Sequence, residues 1–234
     1  MSIFQKKDVV QTYDDRRFAG VGGAYIHMHE VLPVLQLLRK HSEVKTILDL
    51  GAGRGRLTAP LAEAGYDVDC LDFSDEMTAI LKKNFPKATI FTQSIFDVIK
   101  TKTNYDCITG LRFFDHFKMS DQEKILTNVE DNIKKGGYLL IPTMNRSSLE
   151  YLFSKLFPYG RYNYFYTQQD YMELATKNNM RVVDSMTSFF IPRGFFLRFK
   201  DRAAVVSVLT ALDRFFLRVF PGLGGYLYVL VKKK

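Results

Sequence analysis

The 234-residue chain predicts an α/β fold: one mostly parallel sheet of seven strands, helices on both faces, and a cap or insertion added to it. Three observations predict this. Short apolar runs alternate with helix-like segments, the pattern of a layered sheet. The first run ends in a glycine-rich turn that opens a helix. The composition, 47% apolar and 25% charged, is that of a packed globular core rather than a disordered or fibrous chain. The length suits one α/β domain, so residues 1–234 are read as a single unit. Within it, 1–45 form a helical arm, 46–141 the ligand-binding core, and 145–166 and 189–225 cap or insertion segments.

The strands are read in order. Thr46-Ile47-Leu48-Asp49-Leu50 runs into the glycine turn, and Asp67-Val68-Asp69-Cys70-Leu71 ends at Asp72. Ala88–Thr92 and Tyr105–Thr109 follow, and Tyr138–Ile141 comes after the Gly136-Gly137 turn. Arg181–Met186 is the sixth strand and Tyr226–Val231 the last. Helix starts are marked by side chains that satisfy orphan amides. Ser74 is an N-cap, Ser120 with Glu123 a capping box, and Thr167 with Asp170 a second box. Helices are therefore expected near 75, 121 and 168. Residues 145–166, rich in aromatics and broken by Pro158 and Gly160, suggest a cap.

The net charge of +8 is uneven. From Phe189 onward nine basic residues face two acidic ones, whereas the first 188 residues hold 24 basic and 23 acidic. Such a segment attracts anionic lipid, nucleic acid or an anionic substrate, or is a solvated surface. A helix-like run from Ala203 to Phe220 carries one narrow polar stripe of Ser207, Thr210, Arg214 and Arg218, so its broad apolar surface needs a cover. The domain's own core, a second subunit in a homodimer, and a membrane surface touched peripherally are all open. With residues 145–166, this insertion is expected to roof a substrate pocket. Cys70 and Cys107 lie in apolar strands without metal-ligand spacing, and residues 1–17 hold no apolar signal core. A cytoplasmic setting is expected.

The chemistry concentrates in Asp49-Leu50-Gly51-Ala52-Gly53-Arg54-Gly55-Arg56-Leu57. Glycines let a backbone approach a ligand, and a helix start offers free amides. A dinucleotide fingerprint requires a third glycine where Arg56 stands. Asp49 would repel a pyrophosphate but suits an ammonium or sulfonium. Asp72, 17 positions after Gly55, is placed to accept ribose hydroxyls, and Met77 to lie on a purine face.

In four ordered stretches the chain resembles class I S-adenosylmethionine-dependent methyltransferases of the small-molecule type, related to the ubiquinone-biosynthesis and type 11/12 families. These are LDLGAGRGRL, LDFSDEM, YDCITGLRFFDHF and IKKGGYLLIP, within residues 46–141. The resemblance implies a Rossmann-like sheet whose last strand is antiparallel, with S-adenosyl-L-methionine as cofactor and S-adenosyl-L-homocysteine as product. It implies that Asp49, Gly51, Ala52 and Gly53, with Leu111, cradle the methionine part, that Asp72 takes the ribose, and that Phe73 and Met77 flank the adenine. An aspartate common after the third strand is replaced here by Ser94. Either Ser94 and Ile95 make that contact or Asp97 reaches back. Tyr13 and Arg17 resemble a pre-core arm that closes over the cofactor.

On the acceptor side, His116 is the candidate base and a packed histidine the alternative. Arg112 either binds an acidic substrate or bridges to a neighbouring helix. His27 and His29, at i,i+2, do not share a helix face, so no metal is expected. The expected activity is methyl transfer to a small acceptor, apolar or aromatic, with anionic or lipid-like molecules included. The alternatives are an RNA methyltransferase, for which no RNA-binding module is seen, and a catalytically inactive cofactor-binding module. Nucleic acid is not expected as a partner.

Overall fold

The computed structural model describes residues 19–97, 104–156 and 164–234. Helix α1 (Gly20–Arg39) precedes β1 (Thr46–Leu50), α2 (Thr58–Glu63), β2 (Asp67–Asp72), α3 (Asp75–Asn84), β3 (Ile90–Thr92) and β4 (Tyr105–Thr109). There follow α4 (Met119–Glu130), β5 (Ile133–Asn145), α5 (Leu149–Leu156), β6 (Phe165–Tyr166), α6 (Gln168–Lys177) and β7 (Met180–Ser188). The chain then runs through α7 (Arg193–Arg198) and α8 (Ala203–Val219) into β8 (Tyr226–Lys233). The sheet order is β3-β2-β1-β4-β5-β8-β7, with β1 to β5 parallel and β8 antiparallel to both its neighbours.

The eighth strand corrects the expected seven. It is β6, two residues that pair with Met144 and Asn145 of β5 inside the segment expected to be a cap. β4 ends opposite Leu140, so the long β5 runs past it and leaves an open edge, which β6 fills. β5 also begins five residues earlier than expected. Gly136 and Gly137 form a bulge within it, between the Tyr105–Ile133 and Cys107–Tyr138 pairs, and not a turn before it.

The caps at Ser74 and Thr167 form as read: Ser74 Oγ accepts from the Met77 amide, and Thr167 and Asp170 complete a capping box. The Ser120 box does not form, because α4 starts a turn-position earlier, with Lys118 at the cap. A tertiary anchor sets that start. The buried Gln122 donates to the carbonyls of Phe114 and Phe117 and accepts from the Tyr171 hydroxyl.

Strand alternation sorts the core into two layers. Ile47, Cys107, Tyr138, Leu140, Tyr228 and Leu230 face α1 and its neighbours, while Leu48, Ile108, Leu139, Ile141, Val229 and Val231 face α4 and α6. α1 packs on β7, β8, α7 and α8. The parallel strands all deliver their C-terminal ends to one edge, where the connections after β1, β2, β3 and β4 meet.

Candidate active site

That edge holds a cavity of about 440 Å³. β1 delivers Asp49, and the turn after it Gly51, Ala52, Gly53, Arg54, Arg56 and Leu57. β2 ends in Leu71 and Asp72, the start of α3 adds Phe73 and Met77, and β3 leads into Gln93, Ser94, Ile95 and Phe96. The segment after β4 contributes Leu111, Arg112, Phe113, His116 and Phe117. Every candidate named from the sequence within residues 49–116, the alternative Asp97 excepted, therefore lines one cavity. Tyr13 and Arg17 lie outside the described residues.

The turn works by close approach. Gly51 and Gly53 have φ of 62° and 58°, in the left-handed region that favours glycine. A Cβ on Gly51 would stand 2.6 Å from the Phe113 ring, whereas one on Gly53 would meet only the Gly51 carbonyl, at 3.9 Å. Gly51 thus makes room for Phe113, and Gly53 keeps the cavity side bare. The amides of the turn itself are taken. The amides of Gly51 and Ala52 donate to the Leu71 carbonyl, and that of Gly53 to Asp72 Oδ2 at 2.9 Å. The turn is stitched to β2 through its own donors, so it offers a shaped wall and not an anion nest.

Two carboxylates dominate that wall. Asp49 is buried; its Oδ2 accepts from the Thr58 hydroxyl at 2.7 Å, and its Oδ1 has no hydrogen-bond partner. Burial pushes its pKa up to about 7; the Thr58 hydrogen bond opposes the shift, and the charge of Asp72 adds to it. Asp72 is also raised by burial, against the pull of the Ser74 and Gly53 amides, which donate to its Oδ1 and Oδ2. With the Phe73 amide as a third donor, three backbone amides share the two oxygens, and acceptor capacity remains for a ligand.

Facing the carboxylates is an apolar wall. Met77 is buried on the first turn of α3, and Phe73 is half exposed beside it. Phe117 packs edge-on against Phe96 at 5.5 Å and tilted against Phe113 at 5.0 Å. Of the two readings at the β3 end, Ser94 and Ile95 line the cavity and Asp97 does not. Ser94 Oγ accepts from the Phe96 amide and holds the turn. Gln93, not singled out from sequence, lies next to it with a buried side-chain Nε2 that has no partner. Its signal in the sequence is its place directly after β3.

Arg112 takes the bridging role. Its Nε and Nη2 reach Glu30 Oε1 of α1 at 2.8 and 2.7 Å. Arg56 Nη1 meets the other oxygen at 2.7 Å, and Arg193 Nη1 reaches Oε1 at 3.0 Å. Burial alone would raise the Glu30 carboxyl, but Arg112, Arg56 and Arg193 together hold it well below the usual range. Arg112 has φ 56°, an uncommon conformation for a non-glycine. His116 closes a short 3₁₀ turn and is exposed at the cavity rim. Among the described residues, none of 145–156, 164–166 or 189–225 lines the cavity, although the Tyr166 hydroxyl donates to the carbonyl of cavity-lining Phe117 and Arg193 reaches Glu30; residues 157–163 of the expected roof lie outside the described residues. Among the described residues, no cluster of three His, Cys, Asp or Glu side chains is disposed to hold a metal.

Comparison with known proteins agrees with this geometry. A family model described as a methyltransferase domain matches residues 26–185. Ubiquinone biosynthesis O-methyltransferases of Rickettsia typhi and Coxiella burnetii are each 27% identical, over 139 and 154 residues. The matches cover 55% and 60% of this chain but only 53% and 65% of those relatives. In fold, the chain resembles a S-adenosylmethionine-dependent methyltransferase from Thermotoga maritima, with TM-score 0.66 and 18% identity over 97% of this chain and 95% of that one. It also resembles the magnesium protoporphyrin IX methyltransferase of Synechocystis with bound S-adenosylmethionine, with TM-score 0.62 and 14% identity over 99% and 93%. The motifs, the sheet order and the family match converge: the chain belongs to the methyltransferase-domain family.

Proposed function

We propose that this cavity binds S-adenosylmethionine and that the chain transfers its methyl group to a small apolar or aromatic acceptor, anionic or lipid-like acceptors included. The observation that carries the reading is Asp49 Oδ1, a buried acceptor without a donor on the cavity wall. A lone buried carboxylate oxygen is costly, and a cationic ligand group relieves it. The bare Gly53 and the apolar wall of Met77, Phe73 and Ile95 suit the rest of such a ligand.

In this reading Asp49 ionises opposite the ligand's positive charge, and the remaining acceptor capacity of Asp72 serves the ribose hydroxyls. Met77 and Phe73 hold the adenine, with Ser94, Ile95 and the unpartnered Gln93 amide at its edge. The cofactor supplies an activated methyl group on a sulfonium that departs as a neutral thioether. Leu111, Phe113 and Phe117 orient the acceptor and exclude water, which is how alignment lowers the barrier of an in-line displacement. His116, exposed at the rim, takes the acceptor's proton. Arg112 is not free for an acidic substrate while it bridges Glu30; it stiffens the wall that the acceptor meets.

The similar proteins include methyltransferases of ubiquinone biosynthesis, of magnesium protoporphyrin IX and of 1,6-didemethyltoxoflavin. The phenylalanine-rich side of this cavity, Phe96, Phe113 and Phe117, suits an apolar or aromatic acceptor. The test is calorimetric titration of S-adenosylmethionine and S-adenosylhomocysteine, followed by labelled-methyl transfer to a panel of quinols, catechols, porphyrins and N-heteroaromatics. Absence of cofactor binding would remove the reading. Binding without transfer to any of the panel would favour an inactive binding module.

A further inference from the structure

We propose that the outer face of α8 docks on an anionic lipid surface. Only Val206 and Asp213 of this 17-residue helix are fully buried. Its inner side is fastened to the domain: Asp213 accepts from the Tyr25 hydroxyl of α1 and from the Ile191 amide, and Phe216 stacks on Phe190 at 4.9 Å.

The opposite side is apolar and open. Val208, Leu212, Phe215 and Val219 recur at helical spacing and are 60, 44, 60 and 50% exposed, with the exposed Ala204 and Ala211 completing the stripe. Contiguous apolar patches of this kind are uncommon on a surface that meets only water. At 100° per residue, Arg214 and Arg218 fall along one edge of the stripe. Both are exposed, and among the described residues neither forms a salt bridge. Arg198, Lys200 and Arg202 precede the helix, and its single acid, Asp213, is buried on the far side.

Charge decides which occupant fits. In a two-fold contact between copies, the same patch meets itself, and neither copy brings a carboxylate on the stripe to answer the arginines. An anionic bilayer answers both features: acyl chains take the apolar stripe and headgroups the arginines. No helix among the described residues is long and apolar enough to cross a membrane, so α8 would lie in the interface plane. The inference does not depend on methyl transfer, because docking needs neither cofactor nor acceptor.

The test is co-sedimentation of the full chain with vesicles of equal phosphatidylcholine and phosphatidylglycerol, and with phosphatidylcholine alone, at low and high salt. Binding to the anionic vesicles that weakens with salt is expected. The double change Val208→Ser with Phe215→Ser lowers that binding at least about tenfold. Arg214→Gln and Arg218→Gln lower it about fivefold each. Thermal melting stays unchanged in all of them, since the side chains are exposed. Failure to bind, or equal binding by the wild type and every variant, overturns the proposal. So does a dimer in sedimentation velocity that Phe215→Ser dissociates while vesicles remain unbound, which would assign the face to a second copy.

Discussion

The two ends of the cavity carry charge in opposite conditions. On the β1–β2 wall, Asp49 and Asp72 keep acceptor capacity that the protein does not use, including an oxygen with no partner at all. On the side built by α1 and the β4 connection, three guanidiniums converge on Glu30, so that each of its oxygens accepts from a guanidinium and its charge is answered within the protein. Unused capacity points to a ligand; saturated capacity points to architecture. The difference teaches that a charged residue at a cavity wall is informative about binding only after its internal partners are counted. It predicts opposite phenotypes for changes at the two ends.

The largest effect is expected at the saturated end. Glu30→Gln removes the one charge that three buried or part-buried arginines share, and should destabilise the fold by about 3–5 kcal/mol, read as a lower midpoint in denaturant unfolding. A stability loss below about 1 kcal/mol would mean the arginines find other partners and the contrast is false.

His116→Ala separates chemistry from structure. With His116 as the base, turnover on the identified acceptor should fall about 10²-fold while cofactor affinity and melting temperature hold. Near-normal turnover would reduce His116 to a rim side chain.

Asp49→Asn sharpens the open end. It keeps the acceptor for the Thr58 hydroxyl and leaves stability nearly unchanged, yet should weaken S-adenosylmethionine binding by about 2 kcal/mol in titration calorimetry. Loss of stability without loss of affinity would make Asp49 a structural carboxyl.

The smallest effect is a pH dependence of the same residue. Because burial raises the Asp49 pKa to about 7, the empty fold favours the protonated form. Its contribution to stability is therefore present at acidic pH, below the unfolded pKa, and is lost as pH rises through about 7. A cationic ligand favours the ionised form, so binding releases a proton below that pH. Affinity should rise with pH by at most about tenfold per unit up to about 7 and then level off. The Asp49→Asn variant should give a flat profile over the same range.

Much of this was readable before the fold. The strand limits Thr46–Leu50 and Tyr105–Thr109 match the apolar runs, and the caps at Ser74 and Thr167 form where the side chains announce them. The cavity residues from Asp49 to Met77 follow from a turn and two strand ends, features written within a few neighbouring positions. The unread part is long-range. Glu30 meets Arg56, Arg112 and Arg193 across 26, 82 and 163 residues of sequence. The start of α4 was moved by Gln122, whose hydroxyl partner Tyr171 is 49 residues away.

By itself, then, the sequence determined the α/β alternation, the glycine turn and the acidic strand ends, because those rest on side-chain period and on backbone conformations that each residue either permits or forbids. Tertiary structure alone decided which of those charges stay available. Burial and partner count are properties of the packed chain: they leave Asp49 with an unpaired oxygen, commit Arg112 to Glu30, and turn the apolar face of α8 outward.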